Sequence, residues 1–251
     1  MSGEQAYAEI ETAFRAGETL AVPKMLSDER RAELRHFWCG RANGELTTAL
    51  SFEYMLEDLQ QLAAPPVLLQ LAETAISDEH RHVDWCLRFA QLLGDGEPVS
   101  AELGGTRPLV FDGASDADNR LLRTIFGGCF SETVAVQVLL ASQRQITLES
   151  ARRLNRQHVA EEVRHSRLGW GLLGWQGLGP RERSMLAAFV PAMAKLTRQL
   201  WLGPQRDADP ELHALGYLSR PLIESALEQA FEEVILPGLA RNGVGDVASQ
   251  R

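Results

Sequence analysis

The sequence predicts an all-α protein: four long helices built around a two-metal carboxylate site, with two further helices after them. Three observations predict it. Apolar residues recur at helical spacing along nearly the whole chain, and no alternating run marks a strand. The pattern Glu-x-x-His occurs twice, as Glu79 with His82 in DEHRH (78–82) and Glu162 with His165 in EEVRH (161–165). Finally, Glu132 is the single charge in the twenty-residue run TIFGGCFSETVAVQVLLASQ, 124–143. A carboxylate buried in such a helix demands a partner.

Punctuation places each element. Ser27 or Asp28 caps a first helix at about 28–62. The break AAPP, 63–66, opens a second helix that runs to about Leu93. Residues 94–115, 22 in all, are rich in Gly and Pro and read as a long loop. A third helix covers about 116–142 and a fourth about 147–175, separated by the weakly marked turn RQITLES. GLGP, 177–180, ends the fourth, and two more helices follow at about 181–202 and 210–241. With no linker in sight, residues 1–251 read as one domain, 28–175 forming the core and 181–241 packing on it.

Bulk properties exclude several classes. The net charge is −9, the sequence pI about 5.2, and no basic run would track a phosphate backbone, so nucleic acid is not an expected partner. MSGEQAYAEIETAF lacks the basic and apolar regions of a signal peptide, so a cytoplasmic location is expected. Three widely spaced cysteines, Cys39, Cys86 and Cys129, fit reduced thiols. The run 124–143 approaches membrane-span length, but Ser131, Glu132, Thr133, Gln137 and Ser142 make a buried helix the expectation and a membrane partner not.

The candidate ligands share helix faces. At about 100° per residue, His158, Glu162 and His165 fall on one face, with Glu161 at its edge. Their stripe, Ala151, Leu154, His158, Glu162, His165, Leu172, is apolar at both ends, as a core stripe interrupted by ligands would be. The two Glu-x-x-His helices each follow a helix that offers one glutamate. Glu132 and Glu162 are 30 residues apart about the turn near 147, and Glu45 and Glu79 are 34 apart about AAPP. Glu53 rivals Glu45, but the stripe through Glu45 is apolar (Trp38, Ala42, Ala49, Phe52), whereas that through Glu53 continues into Glu57 and Gln60. Glu45 is therefore preferred.

Glu45, Glu79, His82, Glu132, Glu162 and His165 thus converge from four helices. A Glu from each of two helices with Glu-x-x-His from the other two is the ligand set of carboxylate-bridged two-metal bundles, and the long loop supplies the crossover such bundles need. Four carboxylates balance two divalent cations, and oxygen with imidazole suits iron or manganese. Asp78 and Glu161 are expected to accept from the ligand histidines' remaining N–H groups. Arg81 and Arg164 would offset the added charge, unless all four form surface ion pairs. The cavity positions expected one turn from the ligands are Thr48, Ala49, Phe52, Cys129 and Val136, where core packing is an equal expectation.

These residues resemble the ferritin-like di-iron superfamily over about 28–175, and the Asp/Glu-Glu-x-Arg-His form is similar to its oxygen-activating monooxygenases. His158 has Ala75 as its counterpart in the first half. The resulting His-x-x-x-Glu-x-x-His resembles the p-aminobenzoate N-oxygenase family. That resemblance implies His158 as a third histidine ligand, two iron ions as cofactors (manganese fits either position), and a small organic substrate, an amine, oxidised with O2. A π-turn between His158 and Glu162 would bring that histidine nearer the metal; the alternative to a ligand is a satisfied core histidine or one that donates to a ligand without touching the metal. The chain carries no G-x-G-x-x-G, so electrons are expected from an external ferredoxin or reductase. A homodimer is compatible with all of this. Two other activities share the superfamily: aldehyde deformylation, and ferroxidase or iron-storage function, which leaves the extra helices and His158 unexplained. A ribonucleotide reductase small subunit is disfavoured, because Cys86 stands where its radical tyrosine would.

Overall fold

Ser27 begins the first helix as expected. Its Oγ accepts from the Arg30 N–H at 3.4 Å, and Asp28 and Glu29 lie in the first turn, where negative charge meets the positive end of the helix. This computed structural model describes residue 12 and residues 26–94, 99–103, 107–203 and 210–245. Parts of the expected crossover loop and the N-terminal stretch read for targeting lie outside them. No strand occurs among the described residues.

Helix α1 spans Asp28–Gln61 and ends in a tight turn. The Ala64 N–H bonds the Leu59 carbonyl at 3.0 Å and the Ala63 N–H that of Gln60 at 3.1 Å. Ala63 sits at φ 50°, the left-handed geometry this motif imposes on its penultimate residue. Helix α2, Pro66–Leu93, then starts on a proline whose missing N–H would have had no helical partner. Helix α3 occupies Asp116–Gln143, opened by Ser115, whose Oγ accepts from the Asp118 N–H at 3.2 Å. It is the one described helix long and apolar enough to cross a membrane, yet 67% of its apolar window is buried inside the protein. Helix α4 is Glu149–Gly174 and α5 is Pro180–Trp201.

Two departures from the sequence reading stand out. The helix expected at 210–241 is broken: a short α6, Pro210–His213, is followed by a turn with Gly216 at φ 89°. Helix α7 then runs as Arg220–Gln229, a π turn Ala230–Ile235, and Leu236–Arg241. Gly216 takes a conformation open to glycine, and Pro221 marks a fresh start. No π turn lies between His158 and Glu162, where one would have brought the histidine nearer the metal, and α4 is α-helical throughout. A π turn lies instead in α3, at Phe126–Ser131, ending just before Glu132. Such turns widen one coil of a helix and occur often at functional sites.

α1 packs along α2 and α3 along α4, and α2–α4 and α1–α3 contacts join the pairs. α5 and α7 lie over α3. The segment after α6 closes the far end, where the Ala214 carbonyl accepts from the N–H groups of Thr147 and Leu148 at 3.0 and 3.3 Å. The apolar interior is split in two. One cluster holds Trp38, Phe89, Leu154 and Tyr217, and the other holds Phe52, Phe130, Leu168 and Phe231. Between them the four long helices contribute a polar layer.

The helices that flank this layer touch backbone to backbone. A Cβ on Gly169 of α4 would stand 2.6 Å from the Cys129 nitrogen, and one on Gly128 of α3 would stand 2.7 Å from the Gly169 Cα. Each glycine is one turn from a site residue, Gly169 after His165 and Gly128 before Glu132. Gly169→Ala should therefore destabilise the protein by about 1–3 kcal/mol in urea unfolding, the usual cost of overpacking. Gly40→Ala, where no atom lies within 4 Å of the added methyl, should be stabilising by up to about 1 kcal/mol through helix propensity.

Candidate metal centre

The polar layer lies inside the protein. Asp78, Glu79, His82, Glu132, His158, Glu161, Glu162 and His165 are all buried, and Glu45 is nearly so. Glu53, the rival to Glu45, is exposed, about 80° around α1 from it. Two groups of ligand atoms form within the layer. Glu45, His82, His158 and Glu162 each bring one such atom, all within 4.8 Å of one another, and Glu79, Glu132, Glu162 and His165 do the same. Glu162 belongs to both. Glu79 also reaches across, one oxygen 3.2 Å from His82 Nδ1 and the other 2.9 Å from His165 Nδ1.

Several of these approaches are close without being hydrogen bonds. His158 Nε2 is 2.8 Å from a Glu162 oxygen, yet His158 Nε2, Glu79 Oε1 and Glu132 Oε2 are all buried without a hydrogen-bond partner. Orphaned buried polar atoms are rare and costly. Carboxylate oxygens and imidazole nitrogens aimed at common points fit divalent cations of the iron or manganese type.

Behind the layer the two halves cross. His82 Nε2 meets Glu161 at 2.8 Å, and His165 Nε2 meets Asp78 at 3.1 Å, so each Glu-x-x-His helix supplies the acceptor for the other's histidine. Those carboxylates fix the ring proton on Nε2 and leave Nδ1 facing the layer. Arg81 and Arg164, 37% and 39% exposed, each contact both acids; Arg81 is paired with Asp78 and 3.6 Å from Glu161, Arg164 2.9 Å from Asp78 and 3.4 Å from Glu161. The acids are thus buried and cross-linked, not surface ion pairs.

Burial and proximity spread the carboxylate pKa values apart. Burial, reinforced by the charge of Glu79, pushes Glu45 up to about 7. Burial also drives Glu132 well above the ordinary range, with Glu162 beside it. For Glu162 burial is overcome by the closeness of Glu132, His158 and His165, and for Glu79 by that of His82 and His165, so both lie low. Burial alone would keep the histidines neutral, but Glu79 and Glu161 raise His82 to about 10, and the surrounding glutamates raise His165 well above its usual value. His158, buried beside the positive His82, is held down to about 4.

A cavity of about 930 Å³ opens on one edge of the layer and is walled by Glu45, Glu132, His158 and Glu162. Of the five positions expected to line it, Thr48 does. Ala49, Phe52, Cys129 and Val136 are buried elsewhere, because the glutamates mark the border between core stripe and cavity face. Ala49 and Val136 lie four residues after Glu45 and Glu132, about 40° around the helix on the core side. Phe52 turns its ring edge to His165 at 5.3 Å, and Cys129 sits inside the π turn, in the core. The walls are instead Arg41, Thr48 and Ser51 of α1 and Ser131, Ala135 and Leu139 of α3, with Leu196, Leu200 and Ile223 from α5 and α7.

The sequence reading missed Arg41. It lies one turn before Glu45, 3.3 Å from that carboxylate and 3.1 Å from His158 Nδ1, with its guanidinium over the Trp38 ring. Its i, i+4 spacing to Glu45 was the available signal. The glycine pair was signalled only by GG inside an apolar helix.

The chain matches no family model, no curated protein and no solved structure.

Two outcomes follow from the protonation pattern. A cation entering the layer displaces protons from His82, His165, Glu132 and, below about pH 7, Glu45. Affinity for Mn(II) should therefore rise with pH from about 6 to 8, with net proton release in calorimetry across buffers of different ionisation enthalpy. Glu161→Gln removes the carboxylate that orients His82 and should weaken metal binding roughly 10–100-fold; unchanged affinity would show that the His82–Glu161 contact does not matter.

Proposed function

We propose that the polar layer holds two iron ions in a ferritin-like four-helix core, and that the protein is an O2-activating di-iron oxygenase of a small organic substrate, an amine first. The supporting observation is the pair of four-residue Glu/His groups that share buried Glu162 and form one wall of a 930 Å³ cavity. Glu45 with His82, and Glu132 with His165, would hold one ion each, with Glu79 and Glu162 between them. Manganese fits the same donors. The bound metals would supply the electrons and open positions for activating O2.

The chain's own residues do the rest. Glu161 and Asp78 hold His82 and His165 with Nδ1 toward the metals. The two apolar clusters exclude water above and below the layer. The cavity admits substrate along the Glu45–Glu132 edge alone of the walls described, and its mixed lining of Thr48, Ser51, Leu139 and Leu196 offers both hydroxyls and apolar surface. That cavity favours an organic substrate over iron storage. The amine reading rests on the resemblance through His158, which stands beside the cavity. Electrons for turnover come from a separate reductase or ferredoxin.

Metal analysis of protein grown in iron-replete medium should give two metals per chain, and Glu132→Ala should lower that content. Far higher iron loading would indicate storage. The reduced, iron-loaded protein should consume O2 and oxidise arylamines; turnover of long-chain aldehydes alone would establish the deformylating reaction instead.

A further inference from the structure

Helix α4 carries a charge pattern that the buried layer does not use. Its acids are Glu149, Glu161 and Glu162, and the last two are buried. Its arginines are Arg152, Arg153, Arg156, Arg164 and Arg167, so its outer surface sets five cations against one acid in a chain of net charge −9. That acid, Glu149, is shared by Arg153 at 3.1 Å, Arg156 at 3.3 Å and Arg152 at 3.8 Å. At 100° per residue, Arg153, Arg156, Arg164 and Arg167 fall within an arc of about 80°. The arc lies roughly 120–180° around α4 from His158 and Glu162, which wall the cavity. Helix α2, which contributes nothing to the cavity wall, adds Arg81 and Arg88 nearly in line, with Asp84 as an exposed acid near them.

We propose that this arginine face of α4 and α2 is the docking surface for an acidic one-electron carrier protein, which approaches the layer from the side away from the cavity. The proposal rests on the oxygenase reading above, in which electrons come from outside the chain. Two observations carry it. The first is charge: a basic stripe on an acidic protein attracts an acidic partner and steers its approach. The second is connection. Arg164, 39% exposed, lies 2.9 Å from Asp78, and Asp78 lies 3.1 Å from His165 Nε2. Arg81 pairs with the same Asp78. Two contacts therefore lead from the stripe to a histidine of the layer, and electron tunnelling falls off steeply with distance. Each carrier would give up one electron, so two encounters would take a pair of iron ions from Fe(III) to Fe(II), with no bond made or broken in the transfer. A carrier must also leave after each electron, which suits a small charged contact more than a large apolar one. Substrate uses the Glu45–Glu132 edge, so the two do not compete for a surface.

Docking is measured first in the metal-free protein, with an acidic [2Fe–2S] ferredoxin and an acidic flavodoxin as probes. At least one of them should bind, with affinity falling about tenfold or more between about 0.01 and 0.15 M salt, as the screening length shortens from ~30 to ~8 Å. Arg156→Glu combined with Arg167→Glu should weaken that binding about tenfold or more. Arg220→Glu combined with Arg241→Glu makes the same change in net charge on α7 and should leave affinity within about twofold. Thermal unfolding confirms that both double variants are folded. In the iron-loaded protein, stopped-flow transfer from the reduced carrier should slow in the α4 double variant by a similar factor. The methyl viologen radical cation, which needs no docking face, should reduce wild type and variant alike. Neither carrier binding the wild type, or equal loss in the α7 control, would overturn the proposal. An oligonucleotide bound through the same arginines more tightly than either carrier would also overturn it. A protein that takes up no iron would sink the two-metal reading instead, and the metal-free titrations would still decide what the arginine face binds.

Discussion

The constraint on which the rest of this structure depends is the cost of dehydrating ionisable groups. Eight acids and histidines are buried in a single layer across the bundle. An isolated buried charge is costly by several kcal/mol or more. The surrounding fold is an answer to that cost. Glutamates alternate between holding and releasing their protons, histidines take up positive charge, and two arginines at the surface neutralise the acids behind them. Cations in place of those protons would complete the same compensation with stronger charges.

The crossing of Asp78 to His165 and Glu161 to His82 gives the layer its rigidity. Had each acid served the histidine of its own helix, these two contacts would not resist α2 and α4 sliding past one another. As built, neither helix can shift along its axis without breaking both histidine contacts. Arg81 and Arg164, each touching both acids, enforce the same register from outside. The close glycine contact of α3 with α4 fixes the remaining separation, on the side where Glu132 enters.

Much of this was legible in the sequence because the helical period and the ligand spacing are the same signal. A face that is apolar at both ends and polar in the middle separates Glu45 from Glu53, and the doubled Glu-x-x-His picks out α2 and α4. Features that depend on what another helix does were not legible. The π turn before Glu132 arises in an apolar run with no local mark beyond GG. Arg41 looks like half of an ordinary i, i+4 ion pair until His158, 117 residues away, is brought against it. The cavity was expected along the core stripe, whereas it lies on the neighbouring face of the same helices. The break at Gly216 was hidden because the flanking residues keep a helical pattern.

The helices that carry the Glu and His residues are not those that close the cavity. Leu196 and Leu200 of α5 and Ile223 of α7 form its outer wall, and neither helix contributes to the polar layer. The chain therefore separates two kinds of change. Substitutions in α1 to α4 disturb a charge balance that involves every member of the layer, whereas substitutions in α5 and α7 alter the shape of a hollow. A protein divided in this way can vary the shape of its cavity while leaving the polar layer untouched, and α5 and α7 are where such variation would accumulate.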